Sequence, residues 1–397
     1  MIRASTFCIF LSLLSSGPAF AQLLQGQLVL GSIGSPYQVH VLDRADATFS
    51  TLGPATTQYP NWVTMAKDNS SLVVALSGSP HDALAILTAG GSYWNFADLG
   101  TSGSPNGVDL DQYGVAYVVS SSTLNNLRLV TTGGLVQVYP LQGIPAILNN
   151  VCVDEETGNF LLPIFQSGLL LELDVATNQL RTLASGHDSI TSVDVEPRTG
   201  NLILTTFAQP QLRVISRTGK LVTAMYSVGA NAVKVDDVTG NYFVASGDTV
   251  HEIAPNGYFA NTWRSAGQSW TSVEMYGSRQ ISGVGPARAG SRYRIDFSFR
   301  GMGNTPYLGL LALSMRPGIP IQGGKINVAP DALFLATLSG SNPFVTGFVG
   351  VLDPSGNASG YIDLPAFAPA GLTLFVSGVA WKHQYFQIGN TIGITVR

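Results

Sequence analysis

Residues 233–244 read Val233-Lys-Val-Asp-Asp-Val-Thr-Gly-Asn-Tyr-Phe-Val244, and the phrase recurs along the chain. It consists of an apolar pair spaced by two, an acid, a turn ending in Gly-Asn, and an apolar run. Two close copies are Val151-Cys-Val-Asp-Glu-Glu-Thr-Gly-Asn-Phe-Leu-Leu162 and Val193-Asp-Val-Glu-Pro-Arg-Thr-Gly-Asn-Leu-Ile-Leu204. Looser copies begin at Val63 and Val108, and a truncated one is Val273-Glu-Met-Tyr276. The anchor valines at 63, 108, 151, 193, 233 and 273 lie 45 to 40 residues apart, the period of a four-stranded propeller blade.

Within one period the pattern predicts four strands, at residues 193–195, 202–206, 212–216 and 221–226. The Thr-Gly-Asn and Thr-Gly-Lys turns place Gly where a tight connection needs positive φ. A single unit leaves both faces of its sheet wet, so units must stack, and radial closure shields their edges. The stub at Val273 supplies a first strand with nothing after it, whereas residues 27–30, 38–42 and 49–52 offer three strands without a first. Pairing the two predicts an all-β, six-bladed propeller closed by the N- and C-terminal strands, five blades being continuous and one shared.

Val233, Val235, Asp236, Gly240, Asn241 and Val244 resemble the blade phrase of NHL-repeat propellers. The resemblance, to six-bladed propellers of the NHL-repeat and SMP-30-like type, covers about residues 26–279. It implies fold more than function, because such propellers include lyases, lactone hydrolases and binding scaffolds. After Tyr276 comes a Gly-rich stretch, and from Arg292 onward roughly eight strand candidates, among them residues 293–299, 307–313, 344–352 and 372–379. A C-terminal β-sandwich is expected, giving a division into a signal peptide (1–21), a propeller (22–280) and a sandwich (281–397). Charge separates the last two: 11 basic and 20 acidic residues against 8 and 4, or −9 and +4, which with Arg3 sum to the net −4.

Composition points the same way. Only 11% of the 397 residues are charged, too few for the solvated faces of many amphipathic helices. The acidic balance gives no footprint for nucleic acid. Arg3, the apolar run 7–14 and Ala19-Phe-Ala21 form a secretory signal cleaved after Ala21, which predicts a secreted, periplasmic or cell-surface protein. No later segment could span a membrane as a helix. Cys8 leaves with the signal, and Cys152, alone in a strand, is expected to be a small buried hydrophobe. A monomer is expected.

Catalytic motifs of the nucleophile-elbow, zinc-protease and P-loop types are absent. Asp109-Leu-Asp-Gln-Tyr-Gly114 starts like a calcium loop but lacks the closing Glu. Of the histidines at 40, 81, 187, 251 and 383, His81-Asp82 and His187-Asp188 fall in loops on one propeller face, as candidate dyads or solvated loop residues. Two residues before each anchor stand Asn61, Asn106, Asn149, Thr191, Asn231 and Thr271, a polar ring at the entrance of an axial channel. The SMP-30 resemblance implies a divalent cation near that entrance. A wholly neutral ring is a poor cage for one, and turn-capping with channel water is the simpler reading. One residue after each anchor, Glu274, Thr64, Asp109, Cys152, Asp194 and Lys234 should form a second ring, with Lys234 between Asp194 and Glu274 and with Asp109 left free.

The functional expectation is an exported non-enzymatic binding or surface-associated protein that recognises a glycan or protein through channel-mouth loops and needs no cofactor. Tyr59, Trp62 and Trp270 precede first strands there, either to stack on the ligand or to fill gaps between blades. The alternative is a metal-dependent lactonase or lyase that uses a divalent cation.

Overall fold

The computed structural model describes residues 27–397 apart from 35, 67–70, 79–80, 102–103, 112–115, 122–125, 142–147, 156, 197–198, 208–211, 226–228, 237–238, 277–279, 285–286, 300–301, 315–317, 322–323, 327, 341 and 383–384. The signal peptide with its cleavage site, half of the calcium-like loop (112–114) and His383 lie outside the described residues. Among the described residues no helix is long and apolar enough to cross a membrane.

The repeat phrase folds the same way in its three close copies. Gly158, Gly200 and Gly240 take φ of 75°, 72° and 77°, and each amide donates to the carbonyl of the phrase acid, Asp154, Glu196 or Asp236, at 2.7–2.8 Å. The Thr before each Gly accepts from the Asn amide after it at 3.2 Å. Asn159 and Asn241 then donate to Glu172 and Glu252 on the third strands, both at 2.7 Å. The motif is thus a hairpin device: the acid starts the turn, Gly permits it, and Asn ties it to the next strand.

The chain is all-β and propeller-like. Between Leu28 and Met275 the described residues form six four-stranded antiparallel sheets. The sheet centred on the second close copy runs Ile190–Val195, Leu202–Thr206, Leu212–Ile215 and Leu221–Met225, close to the strands expected. First and second strands are almost wholly buried and fourth strands mostly exposed, as in Tyr242–Ser246 against Phe259–Arg264. The expected end-to-end pairing is present. Trp270–Met275 lies antiparallel to Leu28–Ser32, with Leu30 opposite Val273 and Leu28 opposite Met275, and this sheet continues through Tyr37–Asp43 to Thr48–Thr56.

From Ile281 onward there is a four-stranded sheet, a five-stranded sheet and a two-stranded hairpin. Ile281, Ile295 and Phe297 of the first share a core with Leu311, Val376 and Ile394 of the second. Two expectations need correction. Residues 344–352 are not one strand: Val345–Thr346 pairs with Asn357–Asp363, and Val349–Val351 with Pro306–Ala312, the change of partner coming at Gly347, where φ is 71°. A helix, Ala332–Leu338, was also missed. Asp331 caps it, accepting from the Phe334 amide at 2.9 Å, and it lays Phe334 on a core cluster with Leu310 and Val379.

Candidate functional site at the inner strands

The polar residues two before each anchor do more than line an entrance. They clasp neighbouring sheets. Asn61 Nδ2 donates to the Pro105 carbonyl (2.7 Å), Asn106 to Leu148 (3.3 Å), Asn149 to Thr191 (2.8 Å) and Asn231 to Trp270 (2.8 Å). Thr191 Oγ1 donates to Ala230 (2.8 Å) and Thr271 Oγ1 to Pro60 (2.9 Å). Followed in order, the six bonds return to their starting strand.

The backbone explains how a side chain in a sheet can reach sideways. The ladder skips residue 61 between Pro60 and Trp62, 106 between Pro105 and Gly107, 191 between Ile190 and Ser192, and 231 between Ala230 and Ala232. Residue 271 is skipped likewise, between partners Trp270 and Ser272. On the sixth strand Leu148 faces Ile164 and Cys152 faces Leu161, four steps against three. Each polar residue is therefore, or lies within, a β-bulge, which leaves the extra residue out of the ladder and re-aims it. Nothing in the hydrophobic pattern marks a one-residue insertion, so the sequence reading put these residues at the entrance without seeing what they hold. Gly107 completes the fit at its boundary: a Cβ there would lie 2.4 Å from Asn150 Oδ1 and 2.7 Å from its Cα.

The second ring is assembled as its register predicts. Lys234 Nζ lies 3.8 Å from Asp194 Oδ2 and 3.5 Å from Glu274 Oε1. Thr64 Oγ1 stands 3.5 Å from Glu274 Oε2 and 3.4 Å from Asp109 Oδ1, and Cys152 Sγ 3.9 Å from Asp194 Oδ1. The acids also bridge strands: Asp109 accepts from the Val153 amide and Asp194 from the Val235 amide, at 2.8 and 2.7 Å. Asp109, expected to be free, is thus engaged, because a carboxylate beside the next inner strand meets an amide there. Burial raises the pKa of Asp194 and Glu274, with Lys234 opposing, and burial raises the Cys152 thiol well above its usual range, with Asp194 adding to it. Cys152 is the buried hydrophobe expected, not a nucleophile.

The remaining candidates separate into core and surface. Trp270 is fully buried, stacked on Phe49 at 5.5 Å and edge-on to His40 at 5.2 Å. Trp62 is buried in the same cluster. Both fill gaps between sheets and offer no face to a ligand, which corrects their place among ligand contacts. Tyr59 is half-buried, 5.7 Å from the Tyr37 ring, and accepts from Ser77 Oγ at 3.3 Å. Neither histidine forms the dyad its neighbour suggested. His81, exposed, has Asp98 Oδ1 at 3.7 Å, whereas Asp82 is buried and accepts from the Gly78 amide. His187 is buried with Nδ1 2.7 Å from Arg213 Nη1, and burial, followed by Arg213, lowers its pKa. A base held against a guanidinium is a poor proton acceptor.

Sequence reading missed a pair of aromatics on the same face as His81. Phe165 and Phe207 follow second strands of consecutive sheets and meet edge to face at 5.8 Å, and Phe207 is 60% exposed. The sequence signal for the pair is their shared register, each lying 14 residues after its anchor, Val151 or Val193. Sequence reading also missed two clamps between sheets: Arg217 on Asp154, with Nη2–Oδ1 at 3.0 Å, and Arg44 on Asp236 at 3.9 Å, its guanidinium 4.9 Å from the Phe243 ring centre.

No family model matches the sequence, and no curated protein matches it. Among solved structures the chain is similar to one in the crystal structure of a nidogen/laminin complex, a β-propeller. The TM-score is 0.55 and the identity 12%, over 63% of this chain and 98% of that one. At that identity the likeness concerns the fold alone.

Proposed function

We propose that the protein is an exported, non-enzymatic binding protein. Its residues 22–280 would form a six-bladed propeller of the NHL-repeat and SMP-30-like type, and 281–397 a β-sandwich. Its ligand is a protein or glycan taken up by loops on the face that carries Tyr59, His81, Phe165 and Phe207. The observation that carries this reading is the belt of six side chain to carbonyl bonds. The donor groups two before each anchor, four Asn amide nitrogens and two Thr hydroxyls, are held on carbonyls of the neighbouring sheets, which favours recognition by the loops. The solved structure it resembles is a complex between two proteins, which gives the fold a precedent for a macromolecular partner. Exposed aromatic rings such as Phe207 are common anchors in such interfaces.

The test screens the purified mature protein against glycans and extracellular matrix proteins, beside lactone hydrolysis with and without a chelator. Binding that weakens at least tenfold in Phe207→Ser supports the reading. Hydrolysis abolished by the chelator overturns it in favour of the metal-dependent hydrolase.

A further inference from the structure

Three loops meet at Phe207. Its amide donates to the Ser189 carbonyl at 3.1 Å, and the His187 amide donates to the Gly168 carbonyl at 3.2 Å. The packing is tight, since a Cβ on Gly168 would lie 1.4 Å from the His187 carbonyl oxygen. The Phe165 and Phe207 rings stand at 88° with centres 5.8 Å apart, a corner with a π face on each wall, and Phe207 is 60% exposed. Asp188, next in the chain to Ser189, is exposed as well. Every other acidic side chain among the described residues is hydrogen-bonded or ion-paired, whereas Asp188 has no such partner among them. Asp98 and Asp248 on the same face have His81 at 3.7 Å and Arg264 at 2.7 Å. Ser189 holds φ at 43°, a conformation that favours glycine, and strain of this kind gathers at functional loops.

We propose that this corner anchors a basic segment of a protein partner, a lysine side chain packing on Phe207 with its ammonium group against Asp188. The inference rests on the binding role argued above and narrows its ligand to one class. An aromatic face beside a carboxylate attracts a cation, and the chain fills one such position itself: Arg44 lies 4.9 Å from the Phe243 ring centre and 3.9 Å from Asp236. At the Phe207 corner the same two kinds of partner are turned to solvent. The cation of this loop cluster, Arg213, is held on the buried His187 ring, Nη1 to Nδ1, at 2.7 Å. Net charge acts in the same direction, because residues 22–280 carry −9 and their field draws cationic partners to the surface while repelling acidic ones. The two loop contacts fix the corner before the partner arrives, so little ordering is needed on binding.

The test measures fluorescence anisotropy of a labelled peptide of alternating Lys and Ser against the full mature chain, in about 0.15 M salt so that distant charges are screened. Asp188→Asn and Phe207→Ser should each weaken binding by about threefold or more. Asp248→Asn makes the same charge change on the next sheet of that face and should weaken it by less than about 1.5-fold. Acetylating every lysine of the peptide should abolish binding. No binding of the lysine peptide, or equal losses in Asp188→Asn and Asp248→Asn, overturns the proposal. If Phe207→Ser fails to fold, Asp188→Asn decides alone. Should Phe207→Ser weaken a ligand from the glycan and matrix-protein screen while Asp188→Asn does not, the lysine anchor is refuted and the binding role stands.

Discussion

Replacing Lys234 with Met removes the one cation of the six ring residues and leaves the alkyl stem in place. Its ammonium stands 3.8 Å from Asp194 and 3.5 Å from Glu274. At an effective dielectric of about 20 each attraction amounts to about 4–5 kcal/mol before desolvation is counted. The Lys234 side chain is 26% exposed against 14% and 7% for the acids, so most of its hydration is lost and several kcal/mol must be subtracted. What remains in Lys234→Met is two buried carboxylates without a counter-charge, a loss of about 3–5 kcal/mol. For a propeller of this size that corresponds to a melting temperature lower by about 6–20 °C, read by circular dichroism at pH 7.5. The loss should shrink toward pH 5 as the carboxylates take up protons. A change below 2 °C at pH 7.5, or an equal loss at both pH values, would refute the electrostatic account of the ring.

Deleting residues 272–277 removes most of the closing strand and exposes two sheet edges, so aggregation on gel filtration is expected; a soluble, fully stable monomer would contradict closure. Residues 281–397, expressed alone, should unfold cooperatively in urea, given their own shared core. Gly107→Ala forces a methyl into Asn150 and should lower stability by about 1–3 kcal/mol by denaturant titration, more than Gly133→Ala at a turn where a Cβ meets nothing closer than 3.8 Å. His40, its pKa lowered by burial to about 4, stays neutral in the fold while the unfolded chain charges near pH 6.5. Its contribution is thus lost as pH falls from about 6.5 to 4, by up to about 3 kcal/mol. His40→Phe should flatten that part of the pH–stability curve.

The repeat period gave away most of the architecture because each phrase encodes one local event, a hairpin that needs an acid, a Gly at positive φ and an Asn at fixed offsets. Periodicity then placed residues from distant repeats on the same level, which is why Lys234, 40 residues from both Asp194 and Glu274, could be put between them. What the period does not carry is the insertion of a single residue into a ladder. The bulges at Asn61, Asn106 and Asn231 keep the repeat length and composition unchanged while turning the side chain from the axis to the neighbouring sheet. Trp270 was ambiguous for a related reason: its place at the start of an inner strand is equally a loop mouth and a gap, and only the Phe49 and His40 rings around it decide. The helix at Ala332–Leu338 is so short that its apolar run reads as a strand unless Asp331 is recognised as a cap.

The bulges bear on where function can reside. A propeller axis becomes a reactive site when side chains from several inner strands converge on one ligand with their polar atoms free. Here each inner strand spends its bulged Asn or Thr on a carbonyl of the next strand, and three residues further on Asp109 and Asp194 reach the next strand's amides. Releasing one such group to a ligand would leave a backbone carbonyl or amide unpaired between sheets, at about 1–3 kcal/mol each. Two such levels make the inner strands a connected frame, and the closing strand Trp270–Met275 takes part in both, through Thr271 and Glu274. Among the described residues the loops beyond the second strands show no such side-chain bonds in common, and the one held at His81 uses its backbone carbonyl, accepting from Gln58, so the Phe207 or His81 side chain can change without cost to the frame. A bonded frame of inner strands with its loops outside it is what the proposed binding role requires.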